Sequence, residues 1–144
     1  MRIELTRRGD YAIRAMLALA AEDGALLSVR RIATQMAVPA RFLPHVMQDL
    51  LAAGLVVART GRTGGYRLAR PKETISLLEI ITAIEGDGRR QSCVLRGGPC
   101  GLDGFCAVHR VFTAAQEGLL APLARATLAD VPVIGPSGDV PPTG

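Results

Sequence analysis

The sequence predicts a mainly α-helical protein that opens with a winged helix-turn-helix domain and ends with a long C-terminal helix. Three observations predict this fold. Apolar residues at three- and four-residue spacing mark three consecutive helices that are separated by short breaks. Two short segments of strand character follow, and a glycine-rich turn with a basic tip joins them. A last helical pattern extends from about Cys106 to Asp130.

The first two helices are bounded by capping residues. The first is predicted over roughly residues 7–22, with Thr6 as its N-cap and Gly24 beyond its end. Its apolar residues recur at i, i+3, i+4 and i+7: Ile13, Met16, Leu17 and Ala20. Ser28 is predicted to cap a short second helix that ends at Met36.

The third helix is predicted from about Ala40 to Ala53, with Gly54 as the left-handed residue that follows a helix end. Pro44 falls in or next to the first turn, where its missing N–H costs least. The predicted inward face is apolar: Phe42, Leu43, Val46, Met47 and Leu50. The opposite face carries hydrogen-bonding side chains: Arg41, His45 and Gln48.

A two-stranded ribbon and a fourth helix follow. Residues 55–58 and 66–68 are predicted to pair as strands around the turn 60–65, which has Arg62 at its tip. Ser76 and Glu79 stand three residues apart, as in a capping box that begins a helix. The apolar stripe of that helix is predicted to be Leu77, Ile80, Ile81 and Ile84, and Gly86 ends it.

Positive charge is concentrated in the first half of the chain. Residues 1–72 hold twelve Lys and Arg against five Asp and Glu, whereas residues 73–144 hold five against eight. A basic half indicates a polyanionic partner. Because a helix fits the major groove of B-DNA, we predict that the third helix reads base edges of double-stranded DNA and that the wing contacts the backbone or minor groove. The predicted DNA-binding residues are Ser28, Arg30, Arg41, His45, Gln48, Arg59, Arg62, Thr63 and Arg67.

Several other classes are disfavoured. No apolar run approaches the length of a membrane span, and Asp10 and Arg14 interrupt the apolar stretch that could resemble a signal peptide, so we expect a cytoplasmic protein without membrane contact. The turn at residues 60–65 lacks the pattern of a phosphate-binding loop, and a thiol redox enzyme would be expected to carry a CxxC motif. No enzymatic activity is predicted.

Three cysteines and a histidine lie close together in the sequence. Cys93, Cys100 and Cys106 are separated by six and five residues, and His109 follows three residues later. Structural zinc sites usually pair their cysteines more closely. Wide spacing on a glycine-rich loop favours an iron–sulfur cluster, which thiolates bind well. Zinc, direct thiol sensing through a disulfide, and three separate core cysteines remain alternatives.

About residues 1–130 resemble the Rrf2 family of bacterial transcription factors, which includes IscR and NsrR. The marks of the resemblance are residues 1–12 (MRIELTRRGDYA), 62–66 (RTGGY) and 75–81 (ISLLEII), together with the three cysteines. The resemblance implies a homodimeric repressor that binds a palindromic operator. It also implies that the regulator senses redox state, nitric oxide or iron and cluster supply through an iron–sulfur cluster.

The resemblance offers two candidates for the fourth cluster ligand. In IscR-like members the ligand is a His three residues after the last Cys, which matches His109 and goes with a 2Fe–2S cluster. In some NsrR-like members it is an Asp of the partner subunit's first helix, four residues after a Thr. Asp10 has that spacing from Thr6 and goes with a 4Fe–4S cluster. Both candidates are present.

The resemblance also implies that the last helix is a dimerisation helix. Its apolar seam, which a monomer would leave partly uncovered, is Val108, Phe112, Ala115 and Leu119. We therefore expect residues 1–72 to form the DNA-binding domain and residues 73–130 to form the cluster-binding loop and the dimerisation helices. Residues 131–144, which are rich in Pro and Gly, are expected to be a flexible tail.

Overall fold

The structure is a computed structural model that describes residues 3–86 and 106–131. Within these ranges the chain forms five α-helices and one antiparallel pair of strands, which confirms the predicted mainly helical fold with a wing. The elements are α1 (Arg7–Ala20), α2 (Val29–Met36), α3 (Leu43–Ala52), β1 (Val56–Arg59), β2 (Gly65–Leu68), α4 (Leu77–Glu85) and α5 (Ala107–Arg125). No helix in the described part is long and apolar enough to cross a bilayer.

The three predicted N-caps are confirmed. In each case the cap hydroxyl accepts a hydrogen bond from the N–H three residues on: Thr6 from Gly9 at 3.1 Å, Ser28 from Arg31 at 3.2 Å, and Ser76 from Glu79 at 3.1 Å. The Glu79 carboxylate accepts a 2.9 Å bond from the Ser76 N–H, so the predicted capping box is complete. These bonds satisfy N–H groups that would otherwise lack a partner at the helix ends.

The start of the third helix differs from the prediction. Residues Ala40–Phe42 form a single 3₁₀ turn, and α3 begins at Leu43 with Pro44 in its first turn. Phe42 was predicted on the buried face but is 37% exposed, because the tighter turn carries its ring out of the core. Four of the five residues predicted on the inward face are buried: Leu43, Val46, Met47 and Leu50.

One hydrophobic core holds the described elements together. It is built mainly from α1, α2, α3 and the start of β1, with Met16, Leu27 and Leu50 among its fully buried side chains. The core continues past residue 72, because Ile75 and Ile80 belong to it. In the predicted stripe of α4 only Ile80 is fully buried, whereas its companions are half-buried.

The prediction that the last helix continues to Asp130 is wrong. The helix ends at Arg125, and Ala126 already has extended backbone. The Leu77 N–H donates to the Ala126 carbonyl at 2.9 Å, and the Leu128 N–H donates to the Ile75 carbonyl at 3.0 Å. Leu128 is buried in the core. Burial of this leucine and the backbone bonds beside α4 outweigh the helical pattern of the sequence.

The wing is tied to the start of α2. Strands β1 and β2 pair in antiparallel register, with Val56 opposite Leu68. Leu27 forms an isolated bridge with Tyr66, and the two residues exchange backbone hydrogen bonds of 2.9 and 2.8 Å. Gly65 permits this approach, because a Cβ at that position would lie 2.4 Å from the Leu27 carbonyl oxygen. The bridge therefore fixes the wing beside the residue that precedes the α2 cap.

Candidate DNA interface and metal centre

The segment formed by α3 and the 3₁₀ turn before it has one apolar face and one polar face. Arg41, His45 and Gln48 are exposed, whereas the apolar side of α3 is buried against the rest of the core. The exposed side chains offer charged and neutral hydrogen-bonding groups on one surface. Such a surface has the donors and acceptors that base edges in a major groove require.

The Arg41 guanidinium packs on the ring of Phe42. Its Cζ atom lies 4.7 Å from the centroid of the Phe42 ring. The Phe42 ring stacks in turn on Tyr11 of α1, with centroids 5.9 Å apart and an interplanar angle of 25°. The apolar pattern of the sequence places Phe42 in the core and therefore does not predict this contact.

The wing carries arginines that have no partner among the described residues. Arg59, Arg62 and Arg67 are exposed, as is Thr63. In residues 3–86 and 106–131, the ion pairs and side-chain hydrogen bonds of arginine involve only residues outside the wing. The wing cations are therefore free to meet phosphate oxygens, and the release of condensed counterions makes such contacts most favourable at low salt.

The start of α2 lies beside this wing. Ser28 is half-buried and its hydroxyl oxygen accepts the capping bond from Arg31, while Arg30 is exposed in the first turn. The hydroxyl hydrogen of Ser28 can still donate, and the α2 N-terminus carries partial positive charge. Because the Leu27–Tyr66 bridge joins this helix end to β2, both belong to one surface.

An ion pair and a hydrogen bond connect α1 with α3 and α2. Arg8 pairs with Asp49 of α3. Arg14 donates from Nε to Asp10 Oδ1 at 2.8 Å and from Nη1 to the Met36 carbonyl at 3.1 Å. Arg14 therefore bridges Asp10 to the C-terminal end of α2. The i, i+4 spacing of Asp10 and Arg14 is a sequence signal for this pairing.

A carboxylate from α4 caps the start of α1. Glu85 Oε1 accepts a 2.7 Å hydrogen bond from the Thr6 backbone N–H. Gly9 is buried beneath this carboxylate, and a Cβ there would lie 2.5 Å from Glu85 Oε1. The negative charge at the helix N-terminus is favourable. This contact links the residue at the end of α4 to the helix that carries Asp10.

A second carboxylate of α4 connects the wing to that helix. Glu79 Oε1 accepts a 2.7 Å hydrogen bond from Arg70 Nη2, just after β2. The hydrogen bond from Arg70, with a further one from the Ser76 backbone, lowers the pKa of Glu79 below its ordinary value. The capping box and this ion pair thus share one carboxylate.

Besides Asp10 of α1, the described candidate ligands of the metal centre are Cys106 and His109. Cys106 is the N-cap of α5, and both side chains are half-buried. Cys106 has extended backbone and precedes the helix, whereas His109 belongs to its first turn. Cys93 and Cys100 lie outside the described residues. In the described ranges, no group of three or more His, Cys, Asp or Glu side chains could hold a metal ion.

The predicted dimerisation seam is exposed. Val108, Phe112 and Leu119 are 37, 41 and 40% exposed, and Ala115 is exposed between them. Val111 adds a further exposed apolar side chain. Leu119 also lines an apolar groove of about 730 Å³ between α4, α5 and the segment before α1. Contiguous apolar surface of this kind is typical of an interface.

Comparison with known proteins assigns the family. Residues 5–132 match the Rrf2 family, described as iron-dependent transcriptional regulators. The chain is 32% identical over 140 residues to the HTH-type transcriptional repressor NsrR of Streptomyces coelicolor, which covers 96% of this chain and 93% of that protein. The structure of T. potens IscR is similar, with a TM-score of 0.70 and 27% identity over 89% of this chain and 85% of the other.

CymR, the global cysteine regulator of B. subtilis, has the same fold, with a TM-score of 0.75 and 24% identity over 90% of this chain and 95% of the other. The relatives are transcriptional regulators and not enzymes. The winged helix-turn-helix fold agrees with that role. This chain belongs to the Rrf2 family and is a DNA-binding transcriptional regulator.

Proposed function

We propose that this regulator acts in the cytoplasm as a homodimeric repressor that binds a palindromic operator and senses its signal through an iron–sulfur cluster. The DNA part rests on two exposed polar faces, one on α3 and one on the wing, which we propose form one surface. That surface combines exposed Arg41, His45 and Gln48 with wing arginines that have no intramolecular partner in the described part of the chain.

The two halves of this surface have different roles. Arg41, His45 and Gln48 contact base edges and contribute the sequence-dependent part of binding. The remaining predicted contacts position the protein on phosphates or in the minor groove: Ser28, Arg30, Arg59, Arg62, Thr63 and Arg67. In a symmetric dimer the two α3 helices enter successive major grooves, so the operator has two-fold symmetry.

The wing contact can be tested with Arg62→Ala. Affinity for specific and non-specific duplexes should fall alike, and the slope of log K against log salt should decrease by about 1, because one phosphate contact is lost. Arg125→Ala in the last turn of α5 removes the same charge away from the wing and serves as the matched control. Unchanged affinity of Arg62→Ala at low salt would contradict the wing contact.

The cluster proposal depends on the donor set and on the family. Cys93, Cys100 and Cys106 are its thiolate ligands, and His109 or the partner subunit's Asp10 is the fourth. The described donors fit such a site. Cys106 is half-buried as the N-cap of α5, and His109 is the third residue of that helix. When bound, the cluster would supply a centre that reacts with oxidants or nitric oxide.

The segment that would carry the cluster connects α4 to α5. Glu85, at the end of α4, is bonded to the start of α1, and Cys106 begins the proposed dimerisation helix. Loss or oxidation of the cluster would therefore alter how the two winged helix-turn-helix domains of the dimer are placed. A coupling of about 1–3 kcal/mol would change operator affinity by roughly 5–150-fold.

Anaerobic purification tests the cluster. A brown protein with stoichiometric iron and acid-labile sulfide is expected, and a colourless protein without sulfide would overturn the proposal. Zinc in that colourless protein would instead support the zinc alternative. A reversible disulfide would support direct sensing by the thiols.

Two substitutions identify the fourth ligand. His109→Ala or Asp10→Ala should alter the visible spectrum, depending on which residue binds the cluster. Arg14→Gln is the control for Asp10, since it breaks the same 2.8 Å ion pair and keeps the carboxylate. If neither alanine variant changes the spectrum, both assignments are wrong.

The dimer proposal depends on the exposed seam of α5: Val108, Phe112, Ala115 and Leu119. Phe112→Asp should shift the protein from dimer to monomer in sedimentation experiments, because burying a carboxylate against apolar side chains is unfavourable. Thr113→Asp places the same charge on the adjacent helical position, about 100° around α5, and is the control. Unchanged sedimentation of Phe112→Asp would contradict the proposed interface.

A further inference from the structure

Arg41, Phe42 and Tyr11 form a stack that joins two helices. The Arg41 guanidinium carbon lies 4.7 Å from the Phe42 ring centroid, and that ring lies 5.9 Å from the ring of Tyr11. Tyr11 belongs to α1, whereas Arg41 and Phe42 occupy the 3₁₀ turn that leads into α3. The stack therefore connects the proposed base-reading surface to the first helix.

Burial alone does not explain this arrangement. Phe42 remains 37% exposed while its neighbour Leu43 is fully buried. The phenyl ring instead presents a face to a cation, and this interaction is favourable even at an exposed site. Within the described residues no carboxylate pairs with Arg41, so its N–H donors are available to a ligand.

We propose that Phe42 and Tyr11 are positioning residues for DNA binding and hold the Arg41 side chain in place before DNA arrives. A free arginine loses rotamer freedom when it binds, and restricting it in advance reduces that loss. Tyr11 orients the Phe42 ring, and the ring restricts Arg41. This inference rests on the proposed DNA contact of Arg41.

A double-mutant cycle tests the inference. The probes are a duplex of about 30 base pairs that the wild-type protein enriches from a randomised pool, and a scrambled duplex of equal length. Phe42→Leu should weaken binding to the enriched duplex by about three- to tenfold, because it removes the ring but keeps an apolar side chain. Phe42→Tyr keeps the ring and should retain wild-type affinity.

The decisive comparison is made in the Arg41→Ala background. There Phe42→Leu should have no further effect on affinity, since the side chain that the ring positions is absent. Tyr11→Leu should behave in the same way with a smaller effect, and Tyr11→Phe is its matched control. Phe42→Leu keeps the cation and every phosphate contact, so it should leave the slope of log K against log salt unchanged.

The outcomes separate this inference from the proposed function. Additive effects of Arg41→Ala and Phe42→Leu would overturn it, since they would show that Phe42 contacts DNA itself or acts only on stability. Thermal unfolding of each variant would distinguish those two causes. An unaffected Arg41→Ala protein would also overturn it, while DNA binding through the wing would stand if Arg62→Ala still weakened affinity. Failure of the wild-type protein to bind any duplex would contradict the proposed function as a whole.

Discussion

The contact between Gly9 and Glu85 gives a prediction in which the sign of a mutational effect depends on a second residue. In Gly9→Ala, the added Cβ would lie 2.5 Å from Glu85 Oε1 and 3.2 Å from its carboxyl carbon. The next nearest atom is the Thr6 hydroxyl oxygen, at an ordinary contact distance of 3.4 Å. The Glu85 carboxylate must therefore move and release the Thr6 N–H.

The expected magnitudes nearly cancel in the wild-type background. Alanine is favoured over glycine inside a helix by about 0.8–1.0 kcal/mol. Against this gain, an exposed hydrogen bond to a charged group contributes about 1 kcal/mol, and a carboxylate near a helix N-terminus contributes about 0.3–1 kcal/mol. Gly9→Ala should therefore leave the free energy of unfolding unchanged or lower it by up to about 1 kcal/mol.

The same substitution should stabilise a protein without the carboxylate. In Glu85→Ala the obstructing atoms are gone, so Gly9→Ala should raise the free energy of unfolding by about 1 kcal/mol through helix propensity. Urea denaturation of the four proteins of the cycle measures the coupling, which we expect to be about 1–2 kcal/mol. An equal effect of Gly9→Ala in both backgrounds would refute the reasoning.

Two further predictions concern the wing and α4. Gly65→Ala should destabilise the protein by about 1–3 kcal/mol and disrupt the Leu27 bridge, because its Cβ would meet a backbone oxygen at 2.4 Å and its φ is +151°. Gly118→Ala, whose Cβ meets no atom within 4 Å, is the control. Equal unfolding midpoints for the Gly65→Ala and Gly118→Ala proteins would contradict this account. Because Arg70 lowers the pKa of Glu79, the stability from this carboxylate is present above its ordinary value of 4.5 and is lost as the pH falls through the lower folded-state pKa. Glu79→Gln should therefore flatten the acid limb of the unfolding free energy against pH, and an unaltered limb would show that the pair contributes nothing.

Local chemistry in the sequence predicted most helix starts and the ribbon. Thr6, Ser28 and Ser76 are caps whose side chains satisfy nearby N–H groups, so each can be recognised without knowledge of distant residues. The wing was equally predictable from the sequence, because its turn residues and strand propensities lie within one short segment.

Contacts between distant residues were not predictable in this way. The bridge between Leu27 and Tyr66 joins residues far apart in the sequence, and a single bridging residue leaves no alternating pattern. The end of α5 was misplaced for a similar reason: the pattern continues past Arg125, but Leu128 is buried in the core beside Ile75. Tertiary burial overrode local helical preference there.

The candidate site was predictable in part. The exposed face of Arg41, His45 and Gln48 followed from helical periodicity. The support of Arg41 by Phe42 did not, since a large apolar residue in an apolar pattern is ordinarily assigned to the core. The DNA contacts and the cluster ligands stay predictions until the experiments above are done.

The backbone bonds between Ala126–Leu128 and residues 75–77 have a mechanical consequence. They fasten the C-terminal end of α5, whereas Cys106 lies at its opposite end. A helix of 19 residues is roughly 28 Å long. Rotation of roughly 10° about the fastened end would carry the Cys106 end through about 5 Å. Displacement of Cys106 by a rearrangement around it would therefore tilt α5 about its fastened C-terminal end.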